Sequence, residues 1–200
     1  MTNDELAALN ASNPGSMYRQ WATPILENGT PVSGKVNFKL MGYVTLDGYN
    51  RTISDLTNQN YNVEGQSIAY DGIYFDGNGY SIRNLSDRLF TNLDSNSTLR
   101  NMTFENVNFA GTSLIRDVNG TVEGVNVYGT ASGIGSAAVA TTVGSTGKII
   151  GVVANVDYID STSTQDVAGI AVTNNGLIEL SASVGNFTGN AVSGMGGLVV

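Results

Sequence analysis

Two hundred residues with 41% apolar side chains suffice for one domain with a core, and a charged fraction of 13% is too low for a bundle of amphipathic helices. A net charge of -8, with nine scattered Lys and Arg, excludes a nucleic-acid surface built on clustered cations. With no Cys and no His, the chain has no disulfide framework, no thiolate metal site and no His-based triad.

The N-terminus, MTNDELAALNASNPGS, lacks a basic start and a long apolar stretch, so it does not read as a signal peptide. It reads as the start of a chain that is not exported that way, or of an internal piece of a longer protein given a start Met. No apolar run is long enough to span a membrane. Thr2 and Glu5 have capping-box spacing, and Leu6 to Leu9 predict one or two turns of helix, ended by Asn13-Pro14-Gly15. Residues 1–31 are expected to form an N-terminal cap with this short helix, and residues 32–200 to form repeats. A stack of coils needs such a cap, because an open apolar cross-section aggregates.

From Val32 the residues alternate, with Val36, Phe38 and Leu40 on one parity, then Tyr43 to Leu46 before an Asp-Gly turn. The unit that follows, LDGYNRTISDL, returns as YFDGNGYSIRNL at Tyr74 to Leu85; between them, residues 57–67 read as a polar loop outside the stack. Each unit ends in an apolar pair three apart. Ile53/Leu56 is followed by Ile82/Leu85, Leu99/Met102, Val122/Val125, Ile149/Val152 and Leu177/Leu180, with an irregular coil expected at the short step from Ile82 to Leu99. Phe104, Val127, Ala154, Val156, Ala182 and Val184 continue the inward parity. A second strand precedes the later pairs: Leu89-Phe90, Leu114-Ile115, Val139-Ala140, Ile170-Ala171 and Leu198-Val199. One such unit cannot bury its inward face alone, whereas stacked units share a continuous core. The expected fold is an all-β parallel solenoid with Val125, Val152 and Leu180 inside. Because the last copy stops at Val200 after one strand, the chain is expected to continue beyond that point or to dock there on another subunit, with self-association through the C-terminal coil.

The stretches FDGNGYSIRNL, VAGIAVTNNGLIELSASVGNFTG (Val167 to Gly189) and MGGLVV (Met195 to Val200) resemble the GLUG-type repeats of bacterial and archaeal surface proteins and adhesins. The resemblance covers roughly residues 70–200. It implies a right-handed parallel β-helix of pectin-lyase-like architecture at an extracellular or cell-surface location. Leu89-Phe90-Thr91, Leu114-Ile115-Arg116 and Val139-Ala140-Thr141 lack the motif's glycines, so the first coils depart from it.

No catalytic residue is assigned. Asp47 and Asp76 take matching places in two Asp-Gly turns, where Asx side chains are favoured. Stacked together they are the candidates for a calcium ion, the one cofactor considered, or for a glycosidase pair. Arg83, Arg100 and Arg116 could serve a polysaccharide lyase. The simpler expectation is an outward ladder in which Arg83 and Arg100 occupy the same place and Arg100 pairs with Glu123. Asn84 and Asn101 are expected to form an asparagine ladder. Tyr43, Tyr49, Tyr74 and Tyr80, with Tyr61 and Tyr70, form a cluster of aromatics that edge packing or a sugar-binding surface would explain. Asn-x-Ser/Thr occurs at Asn10, Asn28, Asn50, Asn84, Asn96, Asn101, Asn119 and Asn186.

The leading expectation is a non-enzymatic extracellular adhesion or structural module whose partner is a surface glycan or protein. A phage or virus tail-fibre component in the virion and a polysaccharide-degrading enzyme are the alternatives.

Overall fold

The computed structural model describes residues 23–27, 30–39, 44–45, 60–63, 66–69, 72–133, 135–159, 166–188 and 195–199, with side chains from residue 74 onward. The predicted N-terminal helix, Tyr43, Asp47, Tyr49, Tyr70 and the pair Ile53/Leu56 lie outside these residues. The chain is an all-β solenoid of about 4 turns in which equivalent strands pair in parallel.

One sheet runs from Thr23–Glu27 through Thr30–Lys39, Gly72–Asp76, Thr98–Ala110, Thr121–Ser132 and Lys148–Ile150 to Leu177–Glu179. The long strands Thr98–Ala110 and Thr121–Ser132 bend, so this sheet also carries a second wall, formed with Ser81–Arg83, Val153–Ile159, Ala182–Val184 and Phe187–Thr188. A separate sheet stacks Phe90–Leu93, Ile115–Val118, Ala140–Val143 and Ala171–Asn174. There Phe90, Ile115 and Ala140 stand in register with Ala171, and Val199 bridges to Ala171 from the next layer. The second strands therefore stack as their spacing predicts. Thr23–Glu27 folds back antiparallel on Thr30–Lys39. In place of the expected polar loop, Asn60–Val63 and Gln66–Ala69 form an antiparallel hairpin as a sheet of their own.

The apolar pairs prove to be corners. In Leu99/Met102, Val122/Val125 and Ile149/Val152 both members are buried, and the residue just before the second member is left-handed: Asn101, Gly124 or Gly151. Two inward residues separated by one outward residue and one left-handed residue turn the chain from one wall to the next. Ile82/Leu85 is such a corner too, but a different one. Ile82 pairs with Phe104, and Asn84 and Asn106 are both left-handed there. The partner of Leu99 is Phe75. The short step from Ile82 to Leu99 thus joins two different corners, and the irregularity of this coil is an extra turn within it. Ile82 lies seven residues after Phe75, whereas Phe104 lies five after Leu99, because the first coil carries the extra Asp76–Gly79 turn. A Cβ on Gly77 in that turn would collide with the Cβ of Met102.

Leu180 is a correction. Ile149 pairs with Ile178, not Leu177, so the inward places of the last coil fall on Ile178, Ser181 and Ser183. Leu180 itself takes the left-handed corner, with φ 51°, and is 86% exposed. Ala182 and Val184 point outward for the same reason, as partners of the exposed Val153 and Asn155. Val125 and Val152 are fully buried as expected. The coil that narrows to Ala154 carries Tyr158, which is buried, stacks on Phe187 at 4.7 Å and donates its hydroxyl hydrogen to the Gly169 carbonyl at 3.2 Å.

Candidate functional site

The polar side chains that could carry chemistry lie on outward rows, where consecutive coils bring residues of the same register side by side. Asp76, Arg100 and Glu123 form one such row, running on to Ile150 and Glu179. Tyr74 stands in the neighbouring row, which runs from Asn37 through Tyr74 to Thr98, Thr121, Lys148 and Leu177. Placement on strands fixes these neighbours at the spacing of paired strands, about 4.8 Å.

The carboxylate of Asp76 is tied into its own turn. Its Oδ1 accepts from the backbone N–H of Asn78 at 2.8 Å and from Asn101 Nδ2 at 3.2 Å in the next coil. The first bond is the Asx turn that the Asp-Gly sequence favours, and it holds Asn78 in its left-handed conformation. Among the described residues no three His, Cys, Asp or Glu side chains come together.

Arg100 does not pair with Glu123, although the two are register neighbours. Its guanidinium turns to Tyr74 instead: Nη1 donates to the Tyr74 hydroxyl at 3.0 Å and the Cζ lies 5.8 Å from the ring centroid. Its Nε is buried without a hydrogen-bond partner. Arg83 does not share the place of Arg100; it stands opposite Glu105 and donates from Nε at 2.7 Å. Arg116 pairs with Asp117 beside it at 2.7 Å.

The asparagine ladder exists with other members. Asn106 donates to Asn84 at 2.7 Å, not Asn101, because Asn84 and Asn106 share a corner. Asn119 donates to Asn92 at 3.1 Å, and Asn186 donates to Asp157 from both its backbone N–H and its Nδ2. Four of the Asn-x-Ser/Thr asparagines, Asn84, Asn101, Asn119 and Asn186, thus use their side-chain amides between coils.

The tyrosines divide. Tyr74 is half-buried beneath Arg100, and Tyr80 is half-buried and packs against the core. Neither is the freely exposed aromatic that a sugar platform needs. Tyr61 lies on the hairpin strand Asn60–Val63. Two of the described tyrosines have no place in the sequence reading. Tyr128 is outward and exposed, and Tyr158 is a core residue whose phenol burial pushes well above its ordinary range. The parity of Tyr158, two places beyond the inward Val156, was the signal that could have found it.

No family model matches the chain, of GLUG-type repeats or of any other kind, and no curated protein matches it. Among solved structures the chain is similar to the crystal structure of a putative immunoglobulin A1 protease from Bacteroides ovatus, with a TM-score of 0.50 and 15% identity, over 92% of this chain and 72% of that one. The likeness is one of fold alone. It agrees with the β-solenoid described above.

Proposed function

We propose that the chain is a non-enzymatic extracellular module, a stacked-coil rod that serves structure or adhesion and offers an outward row to a surface glycan or a partner protein. One observation carries this reading. Asp76, Arg83, Arg100 and Arg116, the described polar groups put forward for chemistry, are all engaged in bonds between coils, within a turn or to a neighbouring residue. Those between coils hold neighbouring coils in register. A reacting centre would instead need a convergent set of groups aimed at one point. Tyr128, outward and exposed, is the described aromatic most open to a sugar ring.

The test is a glycan array run beside turnover assays on acidic and neutral polysaccharides and on peptide substrates. The reading expects no turnover, and glycan signal that falls at least tenfold in Tyr128→Ala. Turnover of any of these substrates that disappears in Asp76→Asn would replace the rod with an enzyme. The virion alternative separates on source: a chain found in purified particles is a fibre component, not a cell-surface module.

A further inference from the structure

The outward rows change character along the stack. The row of Tyr74, Thr98, Thr121 and Lys148 ends at Leu177, which is 42% exposed. The row of Thr103 and Asn126 becomes Val153 and then Ala182, and Asn155 is followed by Val184, 60% exposed. The corner row Asn101, Gly124, Gly151 ends at Leu180. At that corner, coils below use residues that tolerate the left-handed conformation, and Leu does not. Strain and near-complete exposure fall on the same side chain, a combination that persists where function requires it.

These side chains point sideways. A further coil would stack on the inward residues Ile178, Ser181, Ser183 and Phe187 and would leave Leu177, Leu180 and Val184 on the outward face. The surface is therefore lateral and is not the end of the solenoid.

We propose that this strip is where a second copy of the chain packs side by side. At a net charge of -8 two copies repel across any broad contact, so they must meet on an apolar patch that also balances its own charges. Lys148 stands beside Leu177 in register and Glu179 follows it two residues on; both are exposed, and among the described residues neither is in an ion pair. In a two-fold contact the same patch meets itself, and Lys148 of each copy faces Glu179 of the other. A handful of side chains is far below the roughly 20–30 residues a side of a standard interface, so the dimer is reversible and concentration-dependent.

The experiment is sedimentation of the full chain over a concentration series, with melting followed at low concentration. The wild type dimerises. Leu180→Asn, the residue found at Asn101, weakens the dimer at least tenfold while its melting temperature rises, because strain is relieved. Lys148→Glu also weakens it, and adding Glu179→Lys restores it. A wild type that stays monomeric throughout overturns the proposal, as does such a monomer captured through Leu180 by a glycan or another protein. So does a dimer that Leu180→Asn leaves intact, or one lost only in Ser183→Arg, which would place the contact at the coil end.

Discussion

Tyr158 shows how one side chain answers to the packing around it. Its ring stands in register with Ala131 and stacks on Phe187, and its hydroxyl donates to Gly169. Burial disfavours the phenolate, so the folded-state value stands above the ordinary value of about 10. A raised value in the fold means that stability is fully present below about pH 10 and declines as pH rises beyond it, since the unfolded chain then releases a proton that the fold retains. The melting temperature of the wild type should fall above that pH more steeply than that of Tyr158→Phe. At neutral pH the variant should be less stable by about 1 kcal/mol, from the lost hydrogen bond. Equal slopes for the two proteins would show that this phenol does not remain neutral in the fold. Leu180 makes the opposite point at the same scale. An apolar residue three after Leu177 reads as an inward partner, yet Ile178 and Ser181 hold those places, and hydroxyls at inward positions give no periodic signal.

The corner is the unit that the elements share. An apolar residue, any residue, Asn or Gly, and a second apolar residue recur as Leu99 to Met102, Val122 to Val125 and Ile149 to Val152, and as Ile82 to Leu85 and Phe104 to Val107 at the other corner. Spacing makes four of these pairs visible in the sequence, Ile82/Leu85, Leu99/Met102, Val122/Val125 and Ile149/Val152, and burial bears those four out while it overturns Leu177/Leu180. Spacing could not say which of two corners a pair belongs to, because both use the same residue types, so Asn84 was matched with Asn101 when its partner is Asn106. The strands from Leu89-Phe90 to Leu198-Val199 stand in the register that their spacing predicts. Asn106 does two jobs at its corner: it adopts φ 55° and donates to Asn84. The two separate by substitution. Asn106→Gly keeps the backbone freedom and should cost about 0.5–1 kcal/mol for the lost bond, whereas Asn106→Ala should cost about 1–2 kcal/mol more from left-handed strain. Chemical denaturation reads both; equal losses would mean that the corner is not left-handed.

At the scale of the molecule the parallel stack joins these observations, since buried rows, corner asparagines and outward ladders all follow from which residues of successive coils lie side by side. The candidate site was less legible than the fold for the same reason: bonds such as Arg100 to Tyr74 and Arg83 to Glu105 cross between coils, and their partners depend on register, which spacing leaves open by a residue or a corner. Register can be tested directly because the chain contains no cysteine. Strands in register lie about 4.8 Å apart, within the Cα separation a disulfide spans. Thr98→Cys/Thr121→Cys and Val153→Cys/Ala182→Cys join register partners on the two outward walls. Under mild oxidation both pairs should close within one chain, read as a fast-migrating monomer on a non-reducing gel and confirmed by peptide mass. Failure of the first pair, or closure of Val153→Cys/Ser181→Cys in place of the second, would contradict the stack in this register.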